Sequence, residues 1–441
     1  MSANHDWLQR SLDSVWHPCT QMKHHPALPL VPIASAEGIW LKDFEGKRYL
    51  DAISSWWVNL FGHGHPKINA AITDQLSKLE HVMLAGFTHQ PAVELAERLS
   101  AKTNGTLGHA FFASDGASAT EIALKMSFHA WQNRGQNHKR EFVCLQGSYH
   151  GETLGALSVT DIALFRDAYA PLVRNEHVHL APSPDARLAQ PGETAEDVAN
   201  RAADALEQLF IARAGNIAAI ILEPLVQCAT GMAMHHPQYL KRVRALCDRY
   251  QAHLICDEIA VGFGRTGSFF AHEQADIRPD LLCLSKGISG GYLPLSVVLS
   301  SDAIYDAFWD DDVRRGFLHS HSYTGNPLAC RAALATLDIF DEEDVINHNR
   351  LLSQAISQSL QPVLAHPAVR HFRNTGMIWA MDIDTPQPDF SRRFFAEAMQ
   401  RGLLMRPIGK TVYLMPPYVL TAQDGQWLAA QMLAALNATL A

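Results

Sequence analysis

The sequence predicts an α/β protein. Its large domain is a mainly parallel sheet flanked by helices, and a smaller α+β domain is built from the N- and C-terminal segments. Two observations predict the sheet. Short runs rich in Ile, Leu and Val recur at 110–113, 142–145, 217–222, 254–256, 281–284 and 295–299, and unbroken apolar runs of that length are how strands buried on both faces read. Segments of helical periodicity such as 238–250 lie between them, and strand alternating with helix is the pattern of a layered α/β sheet. A third observation, a change of texture at both ends, predicts the smaller domain. The first 75 residues or so carry many Trp, Pro and His with short strand-like pieces at 38–41 and 48–53. After Asn326-Pro327 a helix is expected to run to about Phe340, and beyond it helix and strand follow a different order. The expected limits are 1–75 for the N-terminal segment of the small domain, 76–330 for the large domain and 331–441 for the C-terminal part of the small domain.

Composition bounds the function. In 441 residues, 47% are hydrophobic and 18% charged, enough to bury a large core and too apolar for a disordered chain. The formal net charge of −9 disfavours a polyanionic partner, so nucleic acid is not expected. Met1 to Arg10 has no basic stretch followed by an apolar one, and no run of 18 apolar residues occurs, which predicts neither export nor a membrane span. The seven cysteines are scattered, odd in number and never spaced C-x-x-C. They read as reduced thiols in a cytoplasmic protein, several of them filling the core.

In a layered parallel sheet, ligands sit beyond the carboxyl ends of the strands, so polar residues that close apolar runs come first. The run ending at Ala113 is followed by Ser114-Asp115-Gly116-Ala117-Ser118 and an amphipathic helix with Ile122, Ala123 and Met126 on one side. Such a turn leaves N–H groups and the positive end of the helix dipole open to a phosphate. Taken alone, the turn reads more readily as a plain helix cap by Asp115 or Ser118. The run at 254–256 closes on Asp257-Glu258, and the run at 281–284 on Ser285-Lys286-Gly287. If these strands are parallel neighbours, aspartate and lysine share one rim. A partly desolvated lysine there has a lowered pKa and can form a Schiff base with a carbonyl, and an aspartate can hold a protonated pyridine nitrogen. Singly, each residue reads as part of a structural ion pair; in this order the three features favour a phosphate-bearing aldehyde cofactor.

Competing motifs fit less well. Gly262-Phe263-Gly264-Arg265-Thr266-Gly267 matches G-x-G-x-x-G, but it does not directly follow a strand, and Phe269-Phe270 rather than a helix of small residues comes next. Gly409-Lys410-Thr411 lies too far from Gly402 for a phosphate loop. The histidine clusters His24-His25, His63-x-His65 and His235-His236 raise a zinc hydrolase as a different-class alternative. No H-E-x-x-H occurs, however, and adjacent histidines share one tetrahedral ion poorly, so no metal ligand is assigned.

The residues also carry a resemblance. Asp257-Glu258-Ile259-x-x-Gly262-Phe263-Gly264-Arg265-Thr266-Gly267, then Pro279-Asp280 and Ser285-Lys286-Gly287, resembles the signature of the class III aminotransferases of the fold type I pyridoxal-phosphate superfamily. Tyr149-His150-Gly151, Glu223-Pro224 and Gly325-Asn326-Pro327-Leu328-Ala329 look like further landmarks in the same order, so the resemblance covers nearly the whole chain. Trp16-His17-Pro18, Ser55-Trp56-Trp57, Glu80-His81-Val82-Met83 and the tail Arg406-Pro407 with Tyr413-Leu414-Met415-Pro416-Pro417-Tyr418 are similar to one branch of that family. Its members aminate 8-amino-7-oxononanoate, with S-adenosyl-L-methionine as donor, on the way to biotin.

The resemblance implies pyridoxal 5′-phosphate as cofactor, Lys286 as its Schiff-base lysine and proton carrier, and Asp257 as the partner of the pyridine nitrogen. It puts Gly116 and Ala117 at the phosphate, with His321 and Ser322 reaching it from a second subunit, hence a homodimer. Ile259 is implied behind the ring, Tyr149 beside cofactor and substrate, and Trp56, Ser320 and Arg406 at substrate. An aromatic channel ended by an arginine suits a long apolar acid, because each buried methylene contributes ~0.8 kcal/mol and the guanidinium takes the carboxylate bidentately. Three positions depart from the family. Cys19 replaces a tyrosine near substrate, Asp115-Gly116-Ala117 replaces Ser-Gly-Ser, and Ser320-His321-Ser322 replaces Gly-Pro-Thr. These changes bear on the donor more than on the acceptor. The near alternative is another ω-aminotransferase acting on a diamine or ω-amino acid.

Overall fold

A computed structural model describes residues 2–26, 28 and 30–441. The chain divides into two compact units, residues 67–347 and residues 1–66 with 348–441. The sequence-expected limits at 75 and 330 fall inside the helices Pro66–Leu76 and Pro327–Glu342. The second of these helices buries Ala329, Cys330, Ala332, Ala333 and Leu334 in its first half, so the break in sequence texture lies well before the break in contacts.

The larger unit is built on a seven-stranded sheet. In chain order its strands are β1 (His109–Ala113), β2 (Glu141–Leu145), β3 (Val178–Ala181), β4 (Ile217–Leu222), β5 (His253–Asp257), β6 (Leu281–Leu284) and β7 (Ser296–Ser300). Their spatial order is β1-β7-β6-β5-β4-β2-β3. All pairs from β6 to β3 are parallel, while β7 runs antiparallel to both β6 and β1. The connection at 285–295 explains the exception, since it is shorter than the dozen or more residues a parallel crossover requires.

Burial accounts for the runs seen in the sequence. Every residue of β4, β5, β6 and β7 is buried, and each Leu, Ile or Val so covered stabilises by roughly 1.5–3 kcal/mol. The helix α1 (Gly116–Asn133) lies on this sheet through small residues, with Ala119, Ala123 and Ala130 beside Ile122 and Met126 in one cluster with Ile221, Ile255 and Cys283. Six of the seven cysteines are buried and all seven are free thiols. No helix among the described residues is long and apolar enough to cross a membrane.

The smaller unit holds a four-stranded sheet of Ile33–Glu37, Trp40–Asp43, Arg48–Asp51 and Leu403–Leu404, the last pairing parallel with Arg48–Asp51. An antiparallel sheet of Val369–Thr375, Ile378–Ile383 and Thr411–Leu414 accompanies it. N- and C-terminal segments therefore share one sheet.

Candidate active site

Three features of the sheet gather the site. Strands β6, β5, β4 and β2 are consecutive neighbours and parallel, so their carboxyl ends lie on one rim. Those ends lead into Lys286, Asp257, Glu223 and the segment Tyr149-His150 respectively. Asp257 pairs in register with Cys283, three residues before the lysine.

Asp257 is buried and accepts two hydrogen bonds. Its Oδ2 lies 2.7 Å from His150 Nδ1, and its Oδ1 accepts the Ile259 N–H at 3.0 Å. His150 is buried too, and its Nε2 has no hydrogen-bond partner among the described residues. Lys286 follows β6 at the start of a 3₁₀ turn, with φ of 46°, in the left-handed region that non-glycine residues rarely adopt. Strained backbone of this kind persists where the surroundings over-determine it, and it clusters at functional sites. Burial of the Lys286 amine holds its pKa below the ordinary lysine range, opposed by the charges of Asp257, Cys228 and Glu223. An amine of this kind is available as a nucleophile nearer neutral pH than a surface lysine.

Glu223 is the acid that the sequence marks only as a landmark. It is buried, its Oε1 accepts the Tyr149 N–H at 3.1 Å, and its Oε2 accepts the Cys228 N–H at 2.9 Å. Burial lifts its carboxyl to about 7, with the charge of Asp257 adding to that rise while His150 and the two N–H bonds oppose it. The signal that singles out Asp257 and Lys286, a polar residue closing an apolar run, applies equally to Glu223 after β4. His150 has no such signal, because four residues separate it from the end of β2.

The turn before α1 is capped by Asp115, whose carboxylate accepts the Ser118 N–H and the Ser118 hydroxyl, both at 2.9 Å. The N–H groups of Gly116 and Ala117, at the first two helical positions, have no acceptor among the described residues. A Cβ at Gly116 would stand 3.0 Å from Ile259 Cγ2, so Gly116, Ile259 and Asp257 pack as one wall. Tyr149 is half-buried and donates its hydroxyl hydrogen to Glu152 at 2.9 Å.

The other expected residues belong to other segments of the chain. Ser320 and Ser322 are exposed and His321 half-buried, on the loop before the helix Pro327–Glu342. His321 Nε2 is 3.1 Å from His319 Nε2, and His319 Nδ1 is 2.8 Å from Lys125 Nζ. Trp56, Arg406 and Cys19 belong to the smaller unit. There Arg406 Nη2 donates to the Cys19 carbonyl at 2.8 Å, and the guanidinium carbon stands 4.9 Å from the centre of the Trp56 ring. The segment 262–267 forms turns after β5 and no helix begins there, the context in which a dinucleotide motif fails. Among the described residues no group of three or more His, Cys, Asp or Glu side chains is placed to hold a metal ion.

The aminotransferase class-III family model matches residues 21–436. The chain belongs to the class III aminotransferases. It is 45% identical over 420 residues to an adenosylmethionine-8-amino-7-oxononanoate aminotransferase of Helicobacter pylori, covering 94% of this chain and 93% of that one. The crystal structure of an enzyme of the same name from Methanocaldococcus jannaschii superposes with a TM-score of 0.91 at 32% identity, covering 98% and 99% of the two chains. An amine transaminase from an uncultivated Pseudomonas species, solved in its PLP-bound form, superposes at 0.89 with 31% identity and coverage of 97% and 98%.

Class III aminotransferases use pyridoxal 5′-phosphate, and this chain is a pyridoxal-phosphate-dependent aminotransferase of the fold type I architecture. The residues on its rim fit that cofactor. They offer a desolvated amine, a buried carboxylate held by a histidine, and two open N–H groups at a helix start.

Two expected results follow from this packing. Gly151 has φ of +120°, and a Cβ there would stand 2.6 Å from Ala117 Cβ and 2.8 Å from Ala117 Cα. Gly151→Ala is therefore expected to lower stability by about 3 kcal/mol, read from the urea midpoint. Glu223 keeps its proton in the folded chain up to about 7 but releases it near 4.5 when unfolded. The native state thus binds more protons within that window, and this group's contribution to stability falls as pH rises through it. Glu223→Gln lacks the titration, so its stability relative to the parent should climb from pH 4.5 to 7, by up to about 3 kcal/mol, and then level off. Urea unfolding at fixed protein concentration measures it, and a pH-independent difference would contradict the assigned titration.

Proposed function

We propose that this aminotransferase takes the amino group of S-adenosyl-L-methionine and delivers it to the keto group of 8-amino-7-oxononanoate, giving 7,8-diaminononanoate for biotin synthesis. The observation that carries the reading is the 45% identity, over nearly the whole chain, to a relative bearing that acceptor in its name. The setting of Arg406 supports it. The guanidinium faces the Trp56 ring and a backbone carbonyl, and no carboxylate among the described residues forms an ion pair with it. That leaves the charge for a substrate carboxylate.

In this reading the cofactor, when bound, supplies an aldehyde that accepts nitrogen and a ring that withdraws electrons from the substrate carbon. Lys286 would hold the cofactor through its desolvated amine, and the same amine would serve as the base that takes up and returns the substrate proton. Asp257, held by His150, would pair with the protonated ring nitrogen. Gly116 and Ala117 donate N–H groups to the phosphate. Ile259 would pack against the cofactor, and Tyr149 would contact cofactor and substrate. His321 and Ser322 reach the phosphate of a second subunit in a homodimer. Trp56 and Ser320 contact the acceptor, Arg406 takes its carboxylate, and Cys19 stands at the substrate position where the family carries tyrosine. The free thiols support a cytoplasmic setting.

A half-reaction screen tests the donor. Holoenzyme is mixed separately with adenosylmethionine, lysine and 4-aminobutyrate, and the cofactor absorbance band is followed. Adenosylmethionine is expected to discharge the band and to allow the acceptor to restore it. Discharge by 4-aminobutyrate or lysine alone would assign the chain to a different ω-aminotransferase activity.

A further inference from the structure

Ser54, Ser55, Trp56 and Trp57 have φ of 50°, 46°, 77° and 72°. Four successive non-glycine residues therefore wind a left-handed turn, a conformation that brings Cβ against the following carbonyl and is disfavoured at every step. Such a run persists only where neighbouring groups impose it. Here they do so on each side. Asp51, fully buried at the end of the strand Arg48–Asp51, accepts the Ser55 N–H at 2.9 Å on Oδ1 and the Ser55 hydroxyl at 2.7 Å on Oδ2. His63 Nε2 lies 3.1 Å from that same Oδ2. Ser54 donates its hydroxyl hydrogen to the Met415 carbonyl at 2.8 Å, and Trp57 Nε1 donates to the Tyr413 hydroxyl at 3.1 Å. The turn thus buries Trp57 and leaves Trp56 44% exposed under the Arg406 guanidinium. Ser55, Trp56 and Arg406 line one cavity of about 510 Å³, whose walls include Cys19, Phe395 and Leu404.

We infer that Asp51 is a positioning residue for the acceptor, because its grip on Ser55 sets the left-handed turn that aims Trp56 at Arg406. The inference rests on the reading that Arg406 takes the acceptor carboxylate. A cation–π pair and an apolar wall recognise a long-chain acid only if the ring is in place beforehand, and a freely moving Trp56 forfeits that preorganisation. Asp51 is fully buried and its hydrogen bonds go to Ser55 and His63, so its loss should appear in acceptor binding and not in the chemistry of the donor half.

The test compares variants of the holoenzyme with 8-amino-7-oxononanoate as acceptor. Asp51→Ala should raise the acceptor KM by about tenfold or more while the donor half-reaction rate stays within about twofold of the parent. Asp51→Asn, which keeps an acceptor for the Ser55 N–H, should return KM to within about threefold. Ser55→Gly removes the hydroxyl and the penalty on positive φ together. Its urea midpoint should not drop, yet its acceptor KM should rise by about fivefold; this variant carries the test if Asp51→Ala does not fold. Equal loss in both half-reactions would mark Asp51 as merely structural, and an unchanged acceptor KM would overturn the inference outright. Arg406→Ala is the reference. If it too leaves acceptor KM unchanged, the carboxylate reading fails; if it alone raises KM, only the role of Asp51 fails.

Discussion

Lys286→Ala is expected to lower turnover by about 10⁴-fold or more, because the substitution removes a covalent nucleophile and a proton carrier at once. The environment of the amine accounts for the size of the effect. Desolvation depresses its pKa, and the left-handed φ of 46° fixes where its stem leaves β6. Neither feature survives in a lysine supplied from elsewhere. The variant should still fold and still bind the cofactor, since Asp257, His150, Gly116 and Ala117 remain. Single-turnover measurements with the donor, set beside fluorescence titration of apoprotein with pyridoxal phosphate, separate lost chemistry from lost binding. Retention of more than about one-hundredth of parental turnover would remove Lys286 from the proposed role.

Arg406→Ala should reduce kcat/KM for 8-amino-7-oxononanoate by about 10²-fold. Truncating one partner of a charge-assisted hydrogen bond costs about 1.5–3 kcal/mol, and 1.4 kcal/mol is a factor of ten. Arg406→Lys should recover only part of the loss, since an ammonium cannot match a carboxylate with two parallel N–H groups or lie flat on the Trp56 ring. The methylenes of the acceptor add their own contribution of ~0.8 kcal/mol each where buried, so a shorter keto acid should be a poor acceptor in parent and variant alike. Acceptor kinetics that do not respond to Arg406→Ala would show that the carboxylate is held elsewhere.

The central strands β4 to β7 were legible because they are buried on both faces. Strand β4 is apolar throughout and its limits coincide with the run at 217–222. The reversed direction of β7 was not legible from its residues, which look like those of its parallel neighbours; only the length of the connection before it distinguishes it. The pairing of β5 with β6 puts Asp257 and Lys286 on one rim, as an aspartate and a lysine closing consecutive runs suggest. His150 and Glu223 escaped the same logic for different reasons. His150 reaches Asp257 across four residues of loop, and loop geometry leaves no periodic trace. Glu223 obeys the strand-end rule, but a lone glutamate is common there and its raised pKa arises from burial that no local pattern encodes. The left-handed turn at 54–57 was illegible too, because serine and tryptophan carry no preference for positive φ; tertiary hydrogen bonds from Asp51, Met415 and Tyr413 impose it. The expected division at 330 differs from the contact division at 347 because the helix Pro327–Glu342 packs as one piece with the larger unit.

Borohydride reduction of the purified holoenzyme, followed by peptide mapping, tests the central claim most directly. Reduction should join the cofactor permanently to one peptide, that containing Lys286, and abolish the visible absorbance band. A label on any other lysine, or protein that stays colourless and unlabelled after incubation with pyridoxal phosphate, would contradict the account.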